Sequence, residues 1–180
     1  MEKFLVLCTG NSCRSIIAEY LINHLGEGLL HAVSADSLPA GYVHPKSLKT
    51  LELHGIAVEN PRSKSWHEFA SSTFDVVITV CDNAANETCP MFAENVDKLH
   101  WSTPDPAAVE GSDEEVNQAF EAAYQMLKTR IEAELLLLKV PLHLWACSKS
   151  ISLSVDSSLY CGGCQSRCII SQLFPANRIC

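Results

Sequence analysis

The sequence has no apolar run long enough to cross a bilayer. Its longest, Leu135 to Ala146, is interrupted by Lys139, Pro141 and His143, whereas a spanning helix needs about 20 apolar residues in a row. Met1-Glu2-Lys3 runs directly into an apolar strand, with no long apolar leader and no small-residue cleavage site, so no secretory signal is expected. Internal repeats are lacking. Bases are scarce, with 13 Lys+Arg against 21 Asp+Glu and a net charge of −8. A nucleic-acid backbone needs a basic stripe, so general nucleic-acid binding is excluded. What is present is apolar: hydrophobic residues make up 47% of the 180, which excludes disorder throughout and fits one soluble domain with a sizeable core. The expected location is the cytoplasm. In that reducing compartment the nine Cys read as thiols, metal ligands or catalytic groups rather than a disulfide framework.

Charge is unevenly spread. Residues 1–138 carry nine bases and twenty acids, a charge of −11, while the last 42 carry four bases and one acid, a charge of +3. The first part alternates strand and helix signals. Lys3 to Leu7 reads as a buried strand, followed by a helix with Ile16, Ile17, Tyr20, Leu21, His24 and Leu25 on one face and Gly26 as its stop. Leu29 to Ser34 reads as a second strand. Pro45 opens a helix through Leu53, closed by Gly55. Ser65 and Glu68 form a capping box before a short helix. Phe74 to Val80 is a β-branched run of the kind buried on both faces of a sheet, and Val96 to Trp101 is a weaker fourth strand. Ser112 and Glu115 form a second capping box, opening a helix with Val116, Phe120, Ala123, Leu127 and Ile131 along one stripe. This alternation predicts an α/β fold: a four-stranded parallel sheet with helices on both faces.

Chemistry concentrates in Cys8-Thr9-Gly10-Asn11-Ser12-Cys13-Arg14-Ser15, between the first strand and the first helix. Ends of parallel strands are where ligands bind. The loop amides and the helix N-terminus make a concave site for a tetrahedral oxyanion. The same field, with Arg14, favours thiolate at Cys8, so a depressed thiol pKa is expected there. Arg14 offers a fork of donors to two oxyanion oxygens, Ser12 or Ser15 can donate to the Cys8 sulfur, and Gly10 permits a tight turn. A buried structural Cys before a capped helix is the bland alternative; the strand before and helix after favour the oxyanion site.

Asp105 stands between Pro104 and Pro106 on a loop after the fourth strand. Its restricted backbone suits a general acid held over a site. Cys81 ends the third strand and Cys89 follows after seven residues. Two thiols on a polar, non-periodic segment near a nucleophilic Cys fit disulfide relay by thiol exchange. Two unrelated loop cysteines, or a pair of metal ligands, remain alternatives at this point.

Together these residues resemble the active-site loop of the low-molecular-weight protein tyrosine phosphatase fold, and within it the thioredoxin-coupled arsenate reductases. Ala18-Glu19, His44-Pro45-Lys46, Asp75 to Cys81, Cys89-Pro90 and His100-Trp101 leading to Asp105-Pro106 support the resemblance, which covers residues 1–138. It implies that Cys8 attacks arsenate held by the loop 9–15 (Thr9, Gly10, Asn11, Ser12, Cys13, Arg14 and Ser15), with Asp105 assisting departure of water. Cys81 would then attack Cys8 to release arsenite, and Cys89 would resolve the Cys8–Cys81 disulfide for thioredoxin to reduce. No organic cofactor is required. Some relatives bind potassium near the loop, and the matching positions here are Asn11, Glu19 and Ser34. Two departures stand out. Some relatives have six residues between the relay cysteines, not seven, which opens glutaredoxin with glutathione as another reductant. Ala107 after Asp105-Pro106 is not the aromatic residue usual in the tyrosine phosphatases.

Residues 139–180 form an atypical C-terminal extension with Cys147, Cys161, Cys164, Cys168 and Cys180, little charge and no clear amphipathic period. The expectation is a poorly ordered segment without catalytic chemistry; a soft-metal site built on Cys161, Cys164 and Cys168 is the alternative. The expected function is arsenate reduction. A low-molecular-weight tyrosine phosphatase needs Cys8, Arg14 and Asp105 but not Cys81 or Cys89. A thiol-based arsenite or metal sensor needs the cysteines but not Asp105.

Overall fold

The computed structural model describes residues 1–82 and 96–136. Cys89 and the predicted extension 139–180, with its five cysteines, lie outside the described residues. Among the described residues the strands β1 (Glu2–Leu7), β2 (Leu30–Ala35), β3 (Val76–Thr79) and β4 (Asp97–His100) form one sheet in the order β2-β1-β3-β4. All three pairings are parallel, with Leu5 opposite both Val33 and Val77, and Val77 opposite Lys98. The α-helices are α1 (Arg14–Leu25), α2 (Pro45–Leu53) and α3 (Asp113–Arg130), the last continuing as a wider π turn over Ile131–Leu136. The predicted third and fourth strands are trimmed at both ends, the first begins one residue earlier and the second is shifted by one residue.

Phe4, Leu5, Val6 and Leu7 are buried in succession, so both faces of β1 are covered. β4, with Asp97, Lys98 and His100 exposed, has the charged character that protects a sheet edge from pairing with another chain. α1 packs on β2 and α3, and α2 packs on both other helices. Phe120, Ala123, Tyr124 and Leu127 carry the buried stripe of α3. Truncating a fully buried aromatic such as Phe120 to Ala costs about 3–5 kcal/mol.

Local signals act as read from the sequence at the helix starts. Ser65 with Glu68 and Ser112 with Glu115 both form reciprocal capping boxes, the first opening a 3-10 turn over Trp66–Phe69. Two expectations are corrected. His24 is exposed, and Ala18 and Ile22 complete the buried face of α1 in its place. Gly26 ends α1 with ordinary helical torsions, not a left-handed cap. It is required because a Cβ there would lie 2.6 Å from the Leu30 Cβ and 2.7 Å from the Ile22 carbonyl oxygen, where the chain folds back into β2.

Candidate active site

The strand order reverses at β1 and β3, the one neighbouring pair from which the chain leaves in opposite directions along the sheet. Ligands bind beyond the carboxyl ends of such a pair. Cys8 is the first residue past β1. Val80 N–H donates to the Leu7 carbonyl at 3.0 Å, prolonging the pairing, and Cys81 follows. The Cys81 thiol lies close enough to that of Cys8 to shift its titration, and both residues are buried. The Thr9 N–H donates to Cys81 Sγ at 3.2 Å, and the Thr9 hydroxyl lies 3.3 Å from the same sulfur.

The loop between β1 and α1 is held from beneath. Gly10 has φ +80° and Asn11 φ +44°, both in the left-handed region. A non-glycine residue there costs about 1–2 kcal/mol, and Asn11 is fixed in it by three hydrogen bonds. Its Nδ2 donates to Ser15 Oγ (2.9 Å) and Ser34 Oγ (2.8 Å), and its Oδ1 accepts from Lys64 N–H (2.7 Å). The Gly10 N–H donates to Asp36, while the Gly10 carbonyl accepts from Ala40 N–H at 2.8 Å and from the Ser63 hydroxyl at 3.0 Å.

These bonds redistribute the roles expected of the loop. Asn11 is fully buried, and its side chain holds the loop rather than facing a ligand. The Thr9 and Gly10 amides are committed to Cys81 and Asp36. The first N–H groups of a helix have no intrahelical acceptor. Of these, the Ser15 N–H is directed at Cys8, and those of Cys13 and Arg14 open α1 beside it. The Ser15 hydroxyl serves Asn11, and the Ser12 hydroxyl is buried with no hydrogen-bond partner among the described residues, so neither of these two serines places its hydroxyl on Cys8.

Above the loop is a cavity of about 160 Å³ whose lining includes Cys8, Ser12, Arg14, His44, Asp105 and Ala107. Arg14 is buried and only partly available to a ligand. Its Nη1 donates to the Thr103 carbonyl (2.8 Å) and its Nη2 to Asp105 Oδ2 (2.9 Å), while Nε is buried with no partner among the described residues. A buried cationic N–H without an acceptor marks where an anion's oxygen belongs. Asp105 Oδ1 accepts from Ala107 N–H, so its carboxylate is tied to the turn it opens as well as to Arg14. His44 caps α2 through Nδ1, stacks on Phe120 and is held below the usual histidine pKa, chiefly by burial.

The electrostatics of Cys8 differ from expectation. Its thiol is pushed above the range of a free thiol, first by the adjoining Cys81 and then by burial, against the opposing pull of Arg14 and the Ser15 N–H. The expected depression counted the helix end and the arginine; the second thiol and the burial outweigh them in this arrangement. On the other side of Cys81, Asp82 is held below the usual carboxylate range by hydrogen bonds from Ser102 and His100. His100 in turn meets the Thr79 hydroxyl at 2.8 Å.

The residues expected to hold potassium do come together, but their oxygen atoms are already committed. Lys64 Nζ donates to both oxygens of Glu19, at 3.0 and 2.8 Å, and the Ser34 hydroxyl and N–H both donate to Glu19 Oε2. With Asn11 Oδ1 taken by Lys64 N–H, the set does not fit a monovalent cation. Asp36, Ser63, Lys64 and Thr103 were not singled out in the sequence. Lys64 sits in Pro61-Arg62-Ser63-Lys64-Ser65, which has the look of a solvated turn. A parallel bridge between Asp36 and Ser65 brings it under the loop, and nothing local encodes that contact.

A strand-end thiol facing a cradle of helix-start amides, with an arginine nitrogen waiting for an anion, defines the class: enzymes that attack tetrahedral oxyanions through a cysteine. Comparison with known proteins narrows it. The profile of the low molecular weight phosphotyrosine protein phosphatase matches residues 3–140, and the chain belongs to that family. It is 34% identical over 127 residues to the arsenate reductase of Halalkalibacterium halodurans, covering 70% of this chain and 89% of that protein. The solved structure of an arsenate reductase in the oxidized state is similar over 74% of this chain and 95% of its own, with TM-score 0.62 and 26% identity. The thioredoxin-dependent arsenate reductase of Corynebacterium glutamicum is similar over 74% of this chain and 61% of its own, with TM-score 0.56 and 26% identity.

Proposed function

We propose that this chain is an arsenate reductase that works by intramolecular thiol relay. The observation that carries the reading is the Cys81 thiol lying against Cys8, fixed there by Thr9. A phosphatase needs one cysteine at this place; reduction needs a second thiol within reach of the first. In the reaction, the Cys8 thiolate attacks arsenic and one arsenate oxygen leaves as water, protonated with the help of Asp105. The Cys81 thiolate then attacks the Cys8 sulfur. The S–As bond breaks, its electron pair stays on arsenic, and arsenite departs from a Cys8–Cys81 disulfide. Cys89 attacks the Cys81 sulfur and frees Cys8 as thiolate. The resulting Cys81–Cys89 disulfide is reduced by an external dithiol. Thioredoxin is the reductant we favour, given the thioredoxin-dependent relative, with glutaredoxin and glutathione as the alternative raised by the seven-residue spacing. A reducing compartment, the cytoplasm, supplies such thiols.

The test pairs arsenate-dependent NADPH oxidation, in the presence of thioredoxin and its reductase, with hydrolysis of an aryl phosphate. Arsenate turnover that is lost in Cys81→Ser, while slow phosphoester hydrolysis persists, supports the relay. Robust phosphoester turnover without arsenate reduction overturns it in favour of a phosphatase.

A further inference from the structure

We propose that Lys64 is a built-in cation for the oxyanion loop: its ammonium occupies, covalently and permanently, the place where a free monovalent ion would otherwise balance Glu19. The inference rests on the oxyanion site but not on the reductase reading, since any tetrahedral oxyanion bound by the loop reports on it.

The geometry is a closed chain of contacts. Lys64 Nζ bonds both Glu19 oxygens, and the two side chains are only 10% and 12% exposed. Glu19 Oε2 accepts the Ser34 hydroxyl and N–H. Ser34 Oγ accepts from Asn11 Nδ2, and Asn11 Oδ1 accepts from the N–H of Lys64 itself. Lys64 therefore touches the loop-setting asparagine twice, once through its backbone and once through the Glu19–Ser34 relay. A carboxylate this buried needs a counter-charge. Here it is supplied by a side chain on a turn that also pairs with Asp36, whose carboxylate holds the Gly10 N–H. Lys64 is a positioning residue: it touches no reacting atom, and it acts by keeping Asn11 and Gly10 in the left-handed conformations that shape the cradle.

The experiment compares the wild-type chain, Lys64→Gln and Lys64→Arg in KCl, NaCl and choline chloride at equal ionic strength. Two quantities are read: the thermal midpoint, and the affinity for inorganic phosphate measured by calorimetry. The wild type is expected to show the same midpoint and phosphate affinity in all three salts. Lys64→Gln leaves Glu19 without its cation, so phosphate affinity should fall by roughly tenfold, the scale of a displaced supporting shell. KCl should restore part of it, beyond what choline restores. Lys64→Arg should behave as the wild type does. A wild-type midpoint or phosphate affinity that rises selectively in KCl overturns the proposal, as does a Lys64→Gln chain with undiminished phosphate affinity in choline chloride. Should Lys64→Gln fail to fold, the wild-type salt series and Lys64→Arg decide it by the same criteria. Loss of arsenate reduction with these results intact would count against the relay alone.

Discussion

The two sides of the site are built differently. On the side of the loop between β1 and α1, the side chains that fix Asn11 are buried: Asn11 and Ser34 are fully enclosed, and the Lys64–Glu19 pair is nearly so. On the side of β3 and β4, the ties are exposed: the His100–Asp82 pair is 42% and 75% open to solvent, and the Asp105 side chain 42%. Buried polar networks are costly to break and specify one geometry, whereas exposed ion pairs contribute little and rearrange readily. The oxyanion cradle is thus held fixed, while the residues around Cys81 are fastened by contacts that can open. A thiol that must attack one sulfur and later accept attack from another belongs on the second kind of support.

The sharpest way to break the contrast is at the fixed side's reacting atom. Cys8→Ser should reduce both arsenate reduction and aryl-phosphate hydrolysis to background in steady-state assays, because both begin with the same sulfur. Asn11→Ala removes three buried hydrogen bonds and leaves their partners unsatisfied. Urea unfolding should show a loss of about 3 kcal/mol, with weaker oxyanion binding in the folded remainder. Cys81→Ala addresses the junction of the two sides. Cys81 is the largest cause raising the Cys8 pKa, so its removal must lower that pKa. The pH at which iodoacetamide alkylation of Cys8 reaches half its maximal rate should move down, and an unchanged or higher value would contradict the assigned cause. The smallest effect is expected on the exposed side. Asp82→Asn, at a largely exposed carboxylate, should leave the urea midpoint unchanged within error, and any effect should fall on the rate of Cys81 disulfide exchange.

Much of the site was legible because it is local. A β-strand, a loop with Cys8 and Arg14, and a helix follow one another within the first 25 residues, and the backbone dictates the cradle. The capping boxes at Ser65 and Ser112 are legible for the same reason, since three residues contain the whole interaction. Cys81 was legible through the strand it follows. The unread part is long-range. Lys64 meets Glu19 across 45 residues and Asn11 across 53, and a lysine in a polar turn carries no mark of the carboxylate it will neutralise. The opposing pulls on the Cys8 thiol divide the same way: the helix start and arginine that lower its pKa are neighbours in sequence, but Cys81, which raises it, is a neighbour only in space. Gly26 was identified as a helix end, but its cause, contact with Leu30, depends on where the next strand lies.

The parallel pairing of β1 with β3 has a metrical consequence. Adjacent strands run about 4.7–4.9 Å apart, and a disulfide bridges α-carbons about 4.4–6.8 Å apart. Residues emerging side by side from such a pair start at the span a disulfide can close. The sheet therefore acts as a gauge for the proposed Cys8–Cys81 bond, with Cys8 opposite Val80 in the continued register and Cys81 one residue beyond, although more than seventy positions separate the two cysteines along the chain. Lengthening or shortening the connections between β1 and β3 leaves that gauge untouched, provided the hydrogen-bond ladder keeps its register.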